Sequence, residues 1–289
     1  MQLMTLIVFI ISVAAMLAID FYAHRKGGVI TLKGATIWSL FYVACAMGFA
    51  VWVYFSLGAD SASKFLTGYA IEKVLAFDNL FVFSLIFTYF NIDLNDRHKA
   101  LYWGIAGAIV FRLIFVIIGT TALDQIGPVV EIVFAVLILL SVILILKAGD
   151  DEDVDYDKTW YVRGVRKIFP QASVLFVAIC VIEISDILFS FDSVPAIIAI
   201  TKDPLLIYSA MMFAILGLRS MYFIIAALEG LFIHMDKAVV LVLLFISFKL
   251  LAGPIFDFHI GSVHSLLIII TFLIGGGLAS IALPENKHE

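Results

Sequence analysis

Charge is what this sequence has least of. Only 14% of its 289 residues are Asp, Glu, Lys or Arg, where soluble domains carry about 25%. Hydrophobic residues make up 63%, and the mean hydropathy is +1.12. That balance excludes an ordinary water-soluble globule. Cysteine is nearly absent too. Cys45 and Cys180 lie far apart inside apolar runs, which excludes a disulfide framework and leaves them as small packing residues. Histidine is scarce where it would matter. His24, His98, His234, His259, His264 and His288 all fall in predicted loops or at span ends. No basic stripe is present, so nucleic acid is not an expected partner. Ten-residue alternating segments are missing as well, which excludes a transmembrane β-barrel.

What is there is a succession of apolar runs long enough to cross a bilayer. They predict an all-α polytopic membrane protein of about nine transmembrane helices. The spans are expected near Leu3–Tyr22, Ala35–Leu57, Phe65–Phe90, Ala100–Thr121, Val129–Leu146, Ala172–Ile200, Leu205–Phe232, Ala238–Ala252 and Ser265–Leu283. The first run lacks a basic leader and is expected to be retained as a span.

Loop charges orient this set. Connections after odd-numbered spans, with the C-terminal tail, hold Arg25, Lys26, Lys33, Arg97, Lys99, Lys147, Lys158, Arg163, Arg166, Lys167, Lys237 and Lys287. Those after even-numbered spans hold only Lys64 and Lys202. The positive-inside rule then predicts an outer N-terminus and a cytoplasmic C-terminus.

The remaining basic residues, Lys73, Arg112, Arg219 and Lys249, lie inside the spans. So do the acids Asp20, Glu72, Asp78, Glu183, Asp186 and Asp192, with Asn79, Ser185, Ser190 and Ser193 beside them. One carboxylate at the bilayer centre costs roughly 3 kcal/mol on insertion scales. The cost recurs in one pattern: Glu72-Lys-Val-Leu-Ala-Phe-Asp78-Asn79 and Asp186-Ile-Leu-Phe-Ser-Phe-Asp192-Ser193. In each case the following span carries an Arg, 112 or 219, in similar surroundings. Ser141 matches Ser247 in the third helices, with Ile143 opposite Lys249. Spans three to five therefore repeat as six to eight with opposite topology, and inverted repeats enclosing a polar site mark secondary transporters.

The chain is thus expected to divide into two N-terminal helices (1–60), a first repeat (61–147), an acidic cytoplasmic loop (148–171), a second repeat (172–253) and a C-terminal helix and tail (254–289). In the loop, Asp153, Asp155 and Asp157 imitate a calcium loop. Lys158 replaces its required Gly and Gly164 its closing Glu, so a solvated loop is the reading.

Glu183 and Asp186, three apart, share a helix face. Asp192 would face away on a straight helix. Pro195, with no N–H for the Phe191 carbonyl, predicts an opened turn around Phe191–Ser193 that re-aims Asp192 and frees carbonyls. Carboxylate, amide, hydroxyl and carbonyl oxygens suit Mn²⁺, Mg²⁺ or Ca²⁺, while zinc and copper sites use His or Cys. The residues alone do not choose among the hard cations, nor exclude Na⁺ or protons. Structural pairing of the acids with Lys73, Arg112, Arg219 and Lys249 is the competing reading.

Phe-Leu-Thr-Gly-Tyr69-Ala-Ile-Glu72-Lys73-Val-Leu-Ala-Phe-Asp78-Asn79 and Glu183-Ile-Ser-Asp186-Ile-Leu-Phe-Ser-Phe-Asp192-Ser193-Val-Pro195-Ala resemble the signatures of the TerC/Alx family. Leu-Gly-Leu-Arg219-Ser-Met-Tyr-Phe and Met-Leu-Ala-Ile-Asp20 are similar too, so the resemblance extends over nearly the whole chain. The family comprises bacterial integral membrane proteins linked to tellurite resistance, alkaline-induced expression and manganese export. The resemblance implies metal-site roles for Glu72, Asp78, Asn79, Glu183, Asp186 and Asp192, with Ser193 a possible addition and Asp20 an accessory. It also implies Mn²⁺ as transported substrate. The expectation is therefore export of Mn²⁺ from the cytoplasm across a bacterial inner membrane by alternating access. Arg112 and Arg219 would neutralise or gate the site, with Lys73 and Lys249 as further accessory groups. No organic cofactor and no catalytic residue are expected. The alternatives are an intramembrane enzyme, for which a Gly-x-Gly-Asp motif or a second Asp-rich cluster is missing, and a cation-sensing subunit that moves nothing.

Overall fold

The structure, a computed structural model, describes residues 2–24, 31–148, 160–227, 235–258 and 260–282; some side chains within these, Asp78 and Asp192 among them, lie outside the description. Every regular element among the described residues is an α-helix. In order they are α1 (Gln2–His24), α2 (Leu32–Leu57), α3 (Ala59–Tyr89), α4 (Leu94–Ile126), α5 (Pro128–Ala148), α6 (Trp160–Ile168), α7 (Val174–Ile198), α8 (Pro204–Leu216), α9 (Leu218–Ala227), α10 (Met235–Phe256) and α11 (Ser262–Ala282).

The ends of these helices follow local chemistry. The Thr31 hydroxyl accepts from Gly34 N at 3.2 Å to start α2, and the Ser173 hydroxyl accepts from Phe176 N at 3.2 Å to start α7. Asp203 accepts from Leu205 N at 2.9 Å, with Pro204 in the first turn of α8 where its missing N–H costs nothing. Gly58 (φ 92) and Gly127 (φ 53) turn the chain between α2 and α3 and between α4 and α5, in a conformation that disfavours a Cβ. A loop was expected from 58 to 64; instead α3 begins at Ala59, directly after that glycine.

Five helical stretches are long and apolar enough to cross a membrane: Gln2–Ala23, Leu32–Leu57, Asp96–Ile126, Lys237–Phe256 and Val263–Ser280. Helices α8 and α9 make a sixth if taken as one span bent by 44°. The expected span Leu205–Phe232 is therefore not one straight helix. The other expected spans coincide with α3, α5 and α7. Helices α3 and α7 each carry three charged residues in their apolar stretch: Glu72, Lys73 and Asp78, and Glu183, Asp186 and Asp192.

Helices α3 and α7 pack on one another at the centre. Helix α3 also contacts α2, α8, α9 and α11, while α7 contacts α4, α5 and α6. From Ser209 to Leu216 every residue of α8 is buried. Helices α1, α2 and α4 instead expose Leu3, Ile11, Leu40, Phe55, Ile117 and Ile118. An apolar exterior of this extent is a lipid face.

Two further expectations are corrected. Helix α7 runs unbroken through Pro195 to Ile198, so the opened turn at Phe191–Ser193 does not form. Proline is tolerated in a membrane helix when neighbours enclose it, and the 193–198 segment is wholly buried. The connection before α7 is not all loop, because α6 occupies Trp160–Ile168 and packs on α7. It buries Val162 and Val165 and exposes Arg163, Arg166 and Lys167. The acidic run Asp150–Asp157 lies outside the described residues.

Candidate cation site

Helices α3, α4 and α7 converge on Arg112. Its guanidinium forms an ion pair with Glu72 of α3, and Nη2 donates to Asp186 Oδ1 of α7 at 3.0 Å. The three side chains are sealed from solvent: residue exposure is 0% for Arg112, 1% for Glu72 and 3% for Asp186. Arginine suits this bridge because its fork serves two carboxylates and stays charged when buried. The acids on α3 and α7 thus meet through the basic residue of α4.

Glu183 follows the same face of α7. Its carboxylate lies against Gly107 of α4, where a Cβ would overlap it. Gly107→Ala is expected to displace Glu183 and to cost about 1–3 kcal/mol of stability, an overpacking effect. Thermal unfolding checks this against Gly104→Ala, whose Cβ would meet Ile182 Cγ2 at a milder 3.3 Å.

Part of this oxygen set has no protein donor. Glu72 Oε2, Glu183 Oε2, Asp186 Oδ2 and Ser193 Oγ are all buried without a hydrogen-bond partner in the protein. Leaving one such group unsatisfied costs about 1–3 kcal/mol, and more when it is charged. Asn79 is buried on α3 with them. Among the described residues no three Asp, Glu, His or Cys side chains stand close enough to hold a metal ion. Asp78 and Asp192, the second acid of each motif, lie outside the described side chains, so the set is incomplete without them.

The other expected accessory groups are elsewhere. Among the described side chains, Arg219 of α9 meets an acid of α1. Its Nη2 donates to Asp20 Oδ1 of α1 at 2.6 Å, and the Tyr42 hydroxyl of α2 donates to the same oxygen at 2.5 Å. Arg112 and Arg219 therefore match in sequence context, while their described partners differ. Tyr42 had no sequence signal beyond a polar tip in an apolar helix. Asp20→Asn removes the charge both donors share, and a stability loss of about 1.5–3 kcal/mol is expected in denaturant titration. Lys249 Nζ of α10 donates to Ser265 Oγ of α11 at 2.8 Å. Lys73 Nζ turns to the α8–α9 break, donating to Ala214 O at 3.1 Å.

An all-helical bundle with bilayer-length apolar helices, a lipid-facing exterior and buried acid–base pairs is an integral multi-pass membrane protein. Comparison with known proteins narrows the class. The chain belongs to the TerC family: the model described as "Integral membrane protein TerC family" matches residues 57–288. It is 41% identical to the tellurium resistance protein TerC of Serratia marcescens, across 99% of this chain and 95% of that one. The tellurium resistance protein TerC of an Alcaligenes species is also 41% identical, across 98% and 95%. The chloroplastic thylakoid membrane protein TERC of Arabidopsis thaliana is 34% identical, across 83% of this chain and 66% of that one. No solved structure matches the chain. The family match begins at residue 57, so Asp20 and Tyr42 lie before it.

Proposed function

We propose that the chain is a secondary transporter exporting Mn²⁺, a hard divalent cation, from the cytoplasm by alternating access. The observation that carries this reading is the group of buried oxygens on α3 and α7 that lack protein donors. A cation satisfies at once what several hydrogen-bond donors would otherwise have to supply. Arg112 holds part of the negative charge in its absence. In the proposed cycle the ion enters from the cytoplasm and is bound by Glu72, Asp78, Asn79, Glu183, Asp186, Asp192 and Ser193. It competes with Arg112 for Glu72 and Asp186, and rocking of the two halves then opens the site outward.

Helix packing supports two three-helix repeats within nine spans. Exchanging α3 with α7, α4 with α8–α9 and α5 with α10 turns the contact of α4 with α7 into that of α8 with α3. The contact of α5 with α10 maps onto itself. The loop charges support opposite topology of the halves, with the N-terminus outside a bacterial inner membrane. A tellurium oxyanion suits this centre poorly, because Glu72, Glu183 and Asp186 outnumber Arg112.

In a strain lacking its own Mn²⁺ exporters, the chain should restore growth in excess Mn²⁺. Asp78→Ala and Asp192→Ala should abolish that tolerance at equal protein abundance. Unaltered tolerance in both variants overturns the site assignment.

A further inference from the structure

Lys73 directly follows Glu72, yet it serves a different place. Successive residues on a helix point about 100° apart, and Lys73 leaves α3 toward the break between α8 and α9. Its Nζ donates to Ala214 O at 3.1 Å and contacts Met221 Sδ at 3.1 Å, one group on each side of the break. In an unbroken helix Ala214 O would accept from the N–H of residue 218. Here Gly217 interrupts the ladder, its own N–H directed to Ile215 O. The ammonium takes the carbonyl that the break releases.

The break is shaped around that ammonium. A Cβ on residue 217 would stand 2.7 Å from Lys73 Nζ and 3.4 Å from Tyr42 Cβ. The Tyr69 ring offers its face, with its centroid 5.8 Å from Nζ. Among the described residues, a carbonyl, a thioether and an aromatic face form an electron-rich lining for a single positive charge. Discontinuous membrane helices hold alkali cations or protons at such freed carbonyls.

We infer that the α8–α9 break is a monovalent-cation site which the chain fills with its own Lys73 ammonium. The site is distinct from the carboxylate centre, which Glu72 meets from a different face of α3. Two consequences follow. The natural protein needs no Na⁺ or K⁺ at this break. Removing the side chain recreates a site for a small free cation, with propylammonium and ethylammonium the closest fit to the deleted group.

The test uses the full-length protein in lipid nanodiscs and reads thermal unfolding, with choline chloride as the ionic-strength control. Lys73→Ala should unfold at a lower temperature than the natural chain. Propylammonium, ethylammonium or Na⁺ should recover at least half of that loss in a saturable manner, while choline recovers none. The natural chain should respond to none of these ions beyond the choline baseline. Lys73→Met, similar in shape but uncharged, should lose stability with no recovery by any cation. The proposal is overturned if Lys73→Ala shows no saturable recovery, if the natural chain responds equally, or if Lys73→Met is as stable as Lys73. Should Lys73→Ala fail to fold, Gly217→Ala decides: the added Cβ should expel the ammonium and lower the unfolding temperature, and an unchanged temperature overturns the proposal. None of these measurements involves Mn²⁺, so they stand or fall separately from the transport reading.

Discussion

Replacing Arg112 by Gln is expected to destabilise the protein by about 3–5 kcal/mol, the cost of breaking a buried ion pair by removing one partner. The reason is local. Glu72 and Asp186 share this one guanidinium at 1% and 3% exposure. Without it two buried carboxylates remain in an apolar interior with their charge uncompensated. Arg112→Lys should recover only part of the loss, since a point charge cannot fork between two carboxylates. If the centre binds divalent cations, Mn²⁺ should raise the unfolding temperature of Arg112→Gln more than that of the natural chain. Equal stability of Arg112→Gln and the natural chain would contradict the geometry. A triple variant separates structure from function. Glu72→Leu, Arg112→Met and Asp186→Leu together replace the ionic group by apolar side chains, which is often neutral or stabilising. That protein should fold and transport nothing.

The second large effect concerns transport. Glu72→Gln and Asp186→Asn keep the shape of each side chain and remove its charge. Each should lower Mn²⁺ flux by at least the roughly 10–100-fold that loss of an outer-shell partner costs a metal site. The two substitutions together should do little more than the worse of them, because ligands of one ion act as a unit. Additive, independent losses would place the two carboxylates in different sites. Folding must be monitored in parallel, since Arg112 loses part of its compensation in either variant. Circular dichroism with thermal unfolding distinguishes a dead transporter from an unfolded one.

Much of the architecture was legible because membrane helices announce themselves by length and apolarity. Each predicted span overlaps a helix or, for Leu205–Phe232, the bent pair α8–α9. The pairing of Arg112 with the acids was within reach, since buried charges must be compensated. Its specific partners were not, because Glu72 and Asp186 come from helices 114 positions apart in sequence (186 − 72). Arg219 matches Arg112 in its sequence surroundings, yet the partner described for it, Asp20, belongs to α1, outside both expected repeats. Pro195 leaves α7 unbroken, while the break between α8 and α9 falls at Gly217. Glycine is common in membrane helices, so nothing in Leu-Gly217-Leu marked it as the break. Helix α6 escaped notice because nine residues with three basic side chains read as part of a charged connection. The cradle at Gly107 depends on a contact between α4 and α7 that no single-helix pattern contains.

Passage of a divalent cation through the carboxylate centre is open to direct test. The most direct measurement is ⁵⁴Mn²⁺ flux in proteoliposomes holding the purified natural chain, with Glu72→Gln vesicles at matched protein density beside them. Time-dependent, saturable flux is expected for the natural chain, and flux near that of protein-free vesicles for Glu72→Gln. Protein-free background in both, from well-folded protein in sealed vesicles, would contradict the transport reading and favour a cation-sensing subunit that moves nothing.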